Sequence, residues 1–305
     1  MPTDRIPSPL PRTIVLSDLH LGRPGGAGGA AAFEALVGDC DRLIVNGDAA
    51  ELHHEAFRAD AERELDRFRD LCVTRGVRVD FIAGNHDPFV SDLRSLELAD
   101  GAVYITHGDA LHPAIAPWSP YAASMRRAFE AALRAAPPGM PEDAARFAAA
   151  REAALAEWTT MGAGAHVSTL ANMAIRPHRA LRAVAFWAIY PRLVGQWAAR
   201  FAPRAGTVIV GHSHRAFIRP RGPRALVNTG AYGFPGRPHA VVLEDGIVRV
   251  HAVHARGRHY RLASDALASW TIAHARPSGH SPGDASTARM KRAASASASR
   301  SSEVS

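Results

Sequence analysis

Histidine, aspartate and asparagine recur in this sequence in short clusters, each following a run of β-branched and other apolar residues. Ile14-Val15-Leu16 leads into Ser17-Asp18-Leu19-His20, and Leu43-Ile44-Val45 into Asn46-Gly47-Asp48. Phe81-Ile82 runs on to Gly84-Asn85-His86-Asp87, Tyr104-Ile105-Thr106 to His107-Gly108-Asp109, and the 207–210 run to Gly211-His212-Ser213-His214. Carboxylates, an amide oxygen and imidazoles together suit divalent Mn, Fe or Zn. Cys40 and Cys72 lie outside every cluster, which argues against a structural zinc site built on thiolates. Alternate side chains of an extended segment point the same way, so Asp18 and His20 can meet one ion, while His212 and His214 can reach different ions of a pair. Gly47, Gly84, Gly108 and Gly211 each adjoin a candidate ligand, where a sharp turn uses the freedom of glycine. One His or Asp at a strand end is more often a cap or a turn residue. Five such clusters in order are a different matter.

The elements that must position these clusters alternate along the first half of the chain. Strands are expected at 13–16, 43–45, 77–82 and 102–106, with helical patterns at about 30–37 and 55–74. That order argues for an α/β layered domain, with the clusters converging on the carboxyl edge of a sheet. Further strands are expected at 207–210, 225–228, 240–243 and 247–253, the last two joined by an Asp245-Gly246 hairpin turn. Residues 112–205, rich in Ala and Arg, read as a helical insertion within one domain spanning 1–263. The remaining 264–305 are rich in Ser, Ala, Arg, Pro and Gly and read as a disordered tail.

The chain has 305 residues, 47% of them hydrophobic, which fits a soluble globular protein. Of its formal net charge of +7, three units fall in 276–305, so the excess on the domain is mild. Lys291 is the one lysine. Two isolated cysteines make no disulfide framework, and the N-terminus lacks the apolar stretch of a signal peptide. The longest apolar stretch, 181–199, is interrupted by Arg182, Pro191 and Arg192. The expected location is cytoplasmic, with peripheral contact on the inner membrane face as an option.

Taken in order, DLH, GD, GNHD, HGD and GHSH resemble the signature of the calcineurin-like metallophosphoesterase superfamily, over about residues 12–255. The resemblance implies a four-layer αββα sandwich, with two divalent metal ions at the sheet edges, manganese first and iron or zinc as alternatives. It assigns Asp18, His20 and His214 to one metal, Asn85, His107 and His212 to the other, and Asp48 to both. Such a pair lowers the pKa of a shared water and clamps phosphoryl oxygens for in-line displacement. His86 takes the family position that stabilises the transition state or protonates the leaving oxygen. Its orienting acid is one of Glu51, Asp87 and Asp109.

Glu51-Leu52-His53 stands where protein serine/threonine phosphatases carry Asp-Arg-Gly. The DLHLG and GDAAE segments are instead similar to the UDP-2,3-diacylglucosamine pyrophosphohydrolase branch, although that branch has GNRD where this chain has GNHD. Between 161 and 206 six arginines (Arg176, Arg179, Arg182, Arg192, Arg200, Arg204) occur with no acid, interleaved with Phe186, Trp187, Tyr190 and Trp197. Such a segment can lie on an anionic membrane and cap a lipid, or pack its aromatics on the domain and leave its arginines to water. His53 and Arg182 are the expected substrate contacts. The expected activity is hydrolysis of a phosphodiester or pyrophosphate bond, in a small phosphate compound or a nucleotide-linked lipid. The rivals are a nuclease or nucleotide phosphodiesterase, with nucleic acid as partner, and a non-catalytic metal-binding scaffold.

Overall fold

Every residue of β1 (Thr13–Leu16) is buried, as strands covered on both faces require, and such strands read as unbroken apolar runs. The same holds for β5 (Val103–Thr106) and β6 (Thr207–Val210). The architecture comes from a computed structural model that describes residues 11–161, 177–233 and 236–275. β1 pairs parallel with β2 (Arg42–Asn46), and β2 parallel with β3 (Arg78–Ile82). On the other side of β1 come the antiparallel strands β9 (His239–Glu244), β10 (Ile247–Arg256) and β11 (His259–Thr271), completing a six-stranded sheet. The second sheet has five strands, in the order β4 (Ser95–Leu98), β5, β6, β8 (Arg224–Asn228) and β7 (Phe217–Arg221). Its three central strands are parallel and its two edges antiparallel.

Alternation along the strands sorts the core into three slabs. Val15, Ile44, Ile82, Val241 and Val250 of the first sheet meet Val103, Ile105, Ile209 and Val227 of the second. Ile14, Leu16, Leu43 and Val45 face outward onto Phe33, onto Leu36 and Val37 of α1 (Glu34–Val37), and onto Leu65 and Phe68 of α2 (Glu55–Thr74). Tyr104, Val208, Val210 and Leu226 face the opposite way. They pack on helices of the insertion: α3 (Ala122–Arg134), α4 (Glu142–Met161) and α5 (Pro177–Phe201). The result is the expected αββα sandwich, in which the insertion supplies the fourth layer.

One expectation changes. The strand at the C-terminal edge runs to Thr271, inside the stretch read as tail, because β10 is long enough to pair with it and sets Val248 opposite Trp270. Trp270 packs against the slab between the sheets, apolar content that the Ser/Ala composition around it obscured. Of the two readings left open for the aromatics of the insertion, packing on the domain holds for Phe186, Tyr190 and Trp197, which are buried against the second sheet. Arg176 and the 276–305 part of the tail lie outside the described residues. Asp245 and Gly246 have φ of 50° and 71°, the positive pair the hairpin turn needs. Among the described residues no helix is long and apolar enough to cross a membrane.

Candidate metal centre

The parallel strands of both sheets end at one place. β1 delivers Asp18 and His20, β2 delivers Asp48, β3 delivers Asn85 and His86, β5 delivers His107, and β6 delivers His212 and His214. Asp18, His20, Asp48 and His214 each place a donor atom within 4.8 Å of the others, and Asp48, His107 and His212 do likewise. Asp48 is common to both groups. Asn85 Oδ1 joins the second through His212 Nδ1 at 3.0 Å. All seven expected ligands are thus brought together, and six of them are buried.

Backbone conformation sets the aim. Asp18, His20, Asp48, His212 and His214 have φ between 48° and 66°, the left-handed region that L-residues with side chains seldom occupy. Such conformations persist only where the surroundings hold them, and they concentrate at functional sites. The neighbouring glycines serve two purposes. Gly47 and Gly108 are at positive φ, as the sequence suggests, whereas Gly84 and Gly211 are not and are there for space. A Cβ on Gly84 would come 2.2 Å from Asp48 Oδ1 and 2.6 Å from the Asp48 amide nitrogen. We therefore expect Gly84→Ala to displace Asp48 and lower the metal content of purified protein, with far-ultraviolet circular dichroism unchanged. Full metal content in that variant would contradict the close approach.

The histidine rings show how the site is wired. His20 Nδ1 faces a Glu51 oxygen at 2.7 Å, His107 Nδ1 the Asn46 carbonyl at 2.9 Å, and His212 Nε2 the Ile115 carbonyl at 3.0 Å. Each of those nitrogens faces an acceptor and must donate, so in the neutral ring that a metal ligand requires the other nitrogen is a lone pair. Without an ion, burial opposes protonation of His107 but the Asp48 carboxylate outweighs it and raises the pKa to about 10. The second nitrogens point inward. His107 Nε2 is buried, has no hydrogen-bond partner and lies 3.3 Å from Asp48 Oδ2. His20 Nε2 is 3.1 Å from His214 Nε2, and His212 Nδ1 meets the Asn85 oxygen at 3.0 Å, acceptor against acceptor. Burial, with His107 nearby, lowers the His212 pKa to about 4, so a proton does not resolve that clash. Imidazoles tied outward to acceptors and bare inward are how metal-ligating histidines are held. The residues present fit a pair of divalent cations.

His86 stands at the rim, about one-fifth exposed. Asp48 Oδ1 accepts its backbone N–H at 2.9 Å, and Glu51 Oε1 lies 3.0 Å from its Nδ1. Nε2 is left turned toward the candidate ligands, 4.0 Å from Asp48 Oδ2. Burial works against protonation, but the Glu51 and Asp48 carboxylates outweigh it and raise the pKa to about 9. Glu51 is the acid that faces His86. The other acid named as catalytic, Asp87, does not: its carboxylate accepts the backbone N–H groups of Asp48, Ala49 and Gly84 at 2.6–3.1 Å. Asp87 thus ties the 46–49 turn to the 84–87 turn, work that adjacency to His86 in sequence conceals. Asp109 pairs with Arg94 at 2.5 Å.

His53 is 7% exposed, with its ring 4.0 Å from that of His86 and Nδ1 3.4 Å from Glu51. It backs His86 and presents no open face to a substrate. Arg182 is exposed on α5 and is not among the side chains brought together. Sequence reasoning missed the carbonyls of Asn46 and Ile115, since backbone acceptors leave no residue-type signal. It also missed Trp187 and Tyr190 as supports of the 211–214 loop, having left them between a membrane surface and general packing on the domain.

No protein-family model matches the chain, and no curated protein matches it significantly. Among solved structures it is similar to a single-mutant Vps29 from Entamoeba histolytica, at 10% identity and TM-score 0.42, covering 84% of this chain and 98% of that one. A dimetal phosphatase from Danio rerio is 12% identical with TM-score 0.42, covering 84% and 99%. A conserved uncharacterized protein of Streptococcus pneumoniae, described as a predicted phosphoesterase, is 14% identical with TM-score 0.35, covering 84% and 98%. At these scores the likenesses bear no weight, and the functional reading rests on the side chains.

Proposed function

We propose that this chain is a dinuclear metallophosphoesterase of the calcineurin-like kind, a hydrolase of phosphate ester or anhydride bonds. The observation that carries the reading is the pair of ligand groups meeting at Asp48, with three of their four histidines tied outward through one ring nitrogen and presenting the other inward. Asp18, His20, Asp48 and His214 would hold one cation, and Asp48, Asn85, His107 and His212 the other. When bound, such a pair acidifies water and neutralises charge on the phosphoryl oxygens. The chain's own groups do the rest. Glu51 accepts from His86 Nδ1 and helps keep the ring protonated, so the Nε2 proton of the imidazolium faces the reacting centre and can pass to the departing oxygen. Asp48 sets the height of that ring by accepting its backbone N–H. Arg23, 3.5 Å from Glu51 Oε1, adds positive charge beside the same carboxylate.

The test is a turnover screen of the purified chain with added Mn²⁺, across bis-p-nitrophenyl phosphate, a nucleoside-diphosphate-sugar lipid and single-stranded DNA. Hydrolysis of any of them supports the class. Preference for DNA selects the nuclease reading, whereas a chain that turns over none of the three is a non-catalytic scaffold and the proposal fails.

The finer reading is a pyrophosphate or phosphodiester bond in a nucleotide-linked lipid, reached from a membrane surface. It is favoured by an outward stripe on α5, where Leu181, Val184 and Ile189 are 43–70% exposed among Arg182 and Arg192. Apolar residues flanked by cations suit an anionic lipid surface. Co-sedimentation with phosphatidylglycerol vesicles at low salt checks it, with Val184→Asp expected to abolish pelleting. Wild-type protein that stays in the supernatant sinks the membrane part and leaves the hydrolase part standing.

A further inference from the structure

Helix α5 grips the 211–214 loop at both ends. The Trp187 indole N–H donates to the Ser213 carbonyl at 2.8 Å, and the Tyr190 hydroxyl to the Gly211 carbonyl at 3.2 Å. Tyr190 is fully buried, and its hydroxyl also fills the space where a Cβ on Gly108 would lie, at 2.1 Å. One phenol therefore touches the turn that carries His107 and the turn that carries His212. A third grip comes from the start of the insertion, where the Ile115 carbonyl accepts from His212 Nε2 at 3.0 Å. Ile115 has φ of 49°, a costly conformation for a β-branched residue and one that needs a compensating contact. Across the loop, Asn228 of β8 donates to the Gly211 carbonyl at 2.6 Å and to the Ser213 hydroxyl at 3.1 Å. The loop so enclosed holds two strained residues, His212 at φ 66° and His214 at φ 57°.

We propose that the insertion is a positioning element for the metal centre: Trp187 and Tyr190 hold the 211–214 backbone in the strained form that aims His212 and His214 inward. The proposal rests on the reading of those two histidines as ligands. A loop released from α5 relaxes toward ordinary φ values and turns both rings away, so the two residues act on ion affinity through the loop and touch no substrate. Loss of an outer support of this kind typically weakens metal binding by about 10–100-fold.

The experiment is Mn²⁺ titration calorimetry on the metal-free full chain, wild type against Trp187→Phe, Tyr190→Phe and Trp197→Phe. Tyr190→Phe removes one hydroxyl and its hydrogen bond, and Trp187→Phe removes the indole N–H together with ring volume that the Trp197→Phe control also loses. Trp197→Phe is the control, since the Trp197 indole donates instead to the Tyr104 hydroxyl of β5 at 3.1 Å from the same helix. The expected result is two ions on wild type, affinity about tenfold weaker in each of the first two variants, and wild-type affinity in the control. Melting of the metal-free proteins shows whether all three lose similar stability, so that a merely structural role would weaken all three alike. Equal affinity in wild type, Trp187→Phe and Tyr190→Phe overturns the proposal alone, as does weakening shared by Trp197→Phe. A wild-type chain that takes up no Mn²⁺ overturns the ligand reading, and this proposal with it.

Discussion

Asp48→Asn should reduce kcat/KM by about a thousandfold or more on any substrate the wild-type chain hydrolyses, and should lower the bound metal below two ions. Asp48 is the one carboxylate common to both ligand groups, and its Oδ2 lies 3.3 Å from His107 Nε2 and 3.8 Å from His20 Nε2. An amide of the same size keeps the packing but removes the negative charge, and its NH₂ presents donors to whatever cation it meets. Charge stabilisation by a metal pair is worth several kcal/mol, and about 4 kcal/mol corresponds to the thousandfold loss. Steady-state kinetics with parallel metal analysis by mass spectrometry checks this. Wild-type turnover in Asp48→Asn would remove Asp48 from the bridging position and leave the two groups without a common member.

His86→Ala should give the second largest effect, with a different signature. Its kcat should fall by about 10²–10⁴-fold, the usual contribution of a positioned general acid, while the metal content stays at the wild-type value. The separation follows from geometry, because His86 touches the centre through a backbone N–H and a ring directed at the space in front of Asp48. Glu51→Gln should mix the two signatures. Glu51 holds His20 with one oxygen and His86 with the other, so an amide must present its NH₂ to one of two donors. Loss of metal in His86→Ala would instead make His86 a ligand and reassign the acid.

What the sequence discloses depends on how local the requirement is. Ligand types at strand ends are local, so the five clusters and an α/β layered domain could be read from short segments, whereas the choice of seven ligands among them and the four-layer order came from the family resemblance. The acid facing His86 is not local. Asp87 is the neighbour in sequence, but its carboxylate is consumed by three backbone N–H groups, and the contact comes from Glu51 on another turn. Ile115 gives no signal, because its contribution is a carbonyl and its residue type argues against the conformation it adopts. Gly84 and Gly211 were legible as glycines but not as spacers, since clearance depends on Asp48 and Asp18 arriving from other strands. The same blindness affects the aromatic residues of α5. An Arg- and Trp-rich helix reads alike whether its aromatics face lipid or a sheet, and only packing on Val208, Val210 and Leu226 distinguishes the two.

Asp18, His20, Asp48 and Asn85 come from the first sheet, and His107, His212 and His214 from the second, so the candidate centre lies astride the boundary between them. His20 and His214 nearly touch although 194 positions separate them along the chain. An ion shared by that pair would be a cross-link. It would close a loop of almost two-thirds of the polypeptide, and closure entropy grows with the logarithm of loop length. Because the unfolded chain holds no such arrangement, the free energy of ion uptake would be added to the free energy of folding. The candidate ligands would then be, by the same arrangement, a clasp between the two sheets of the molecule.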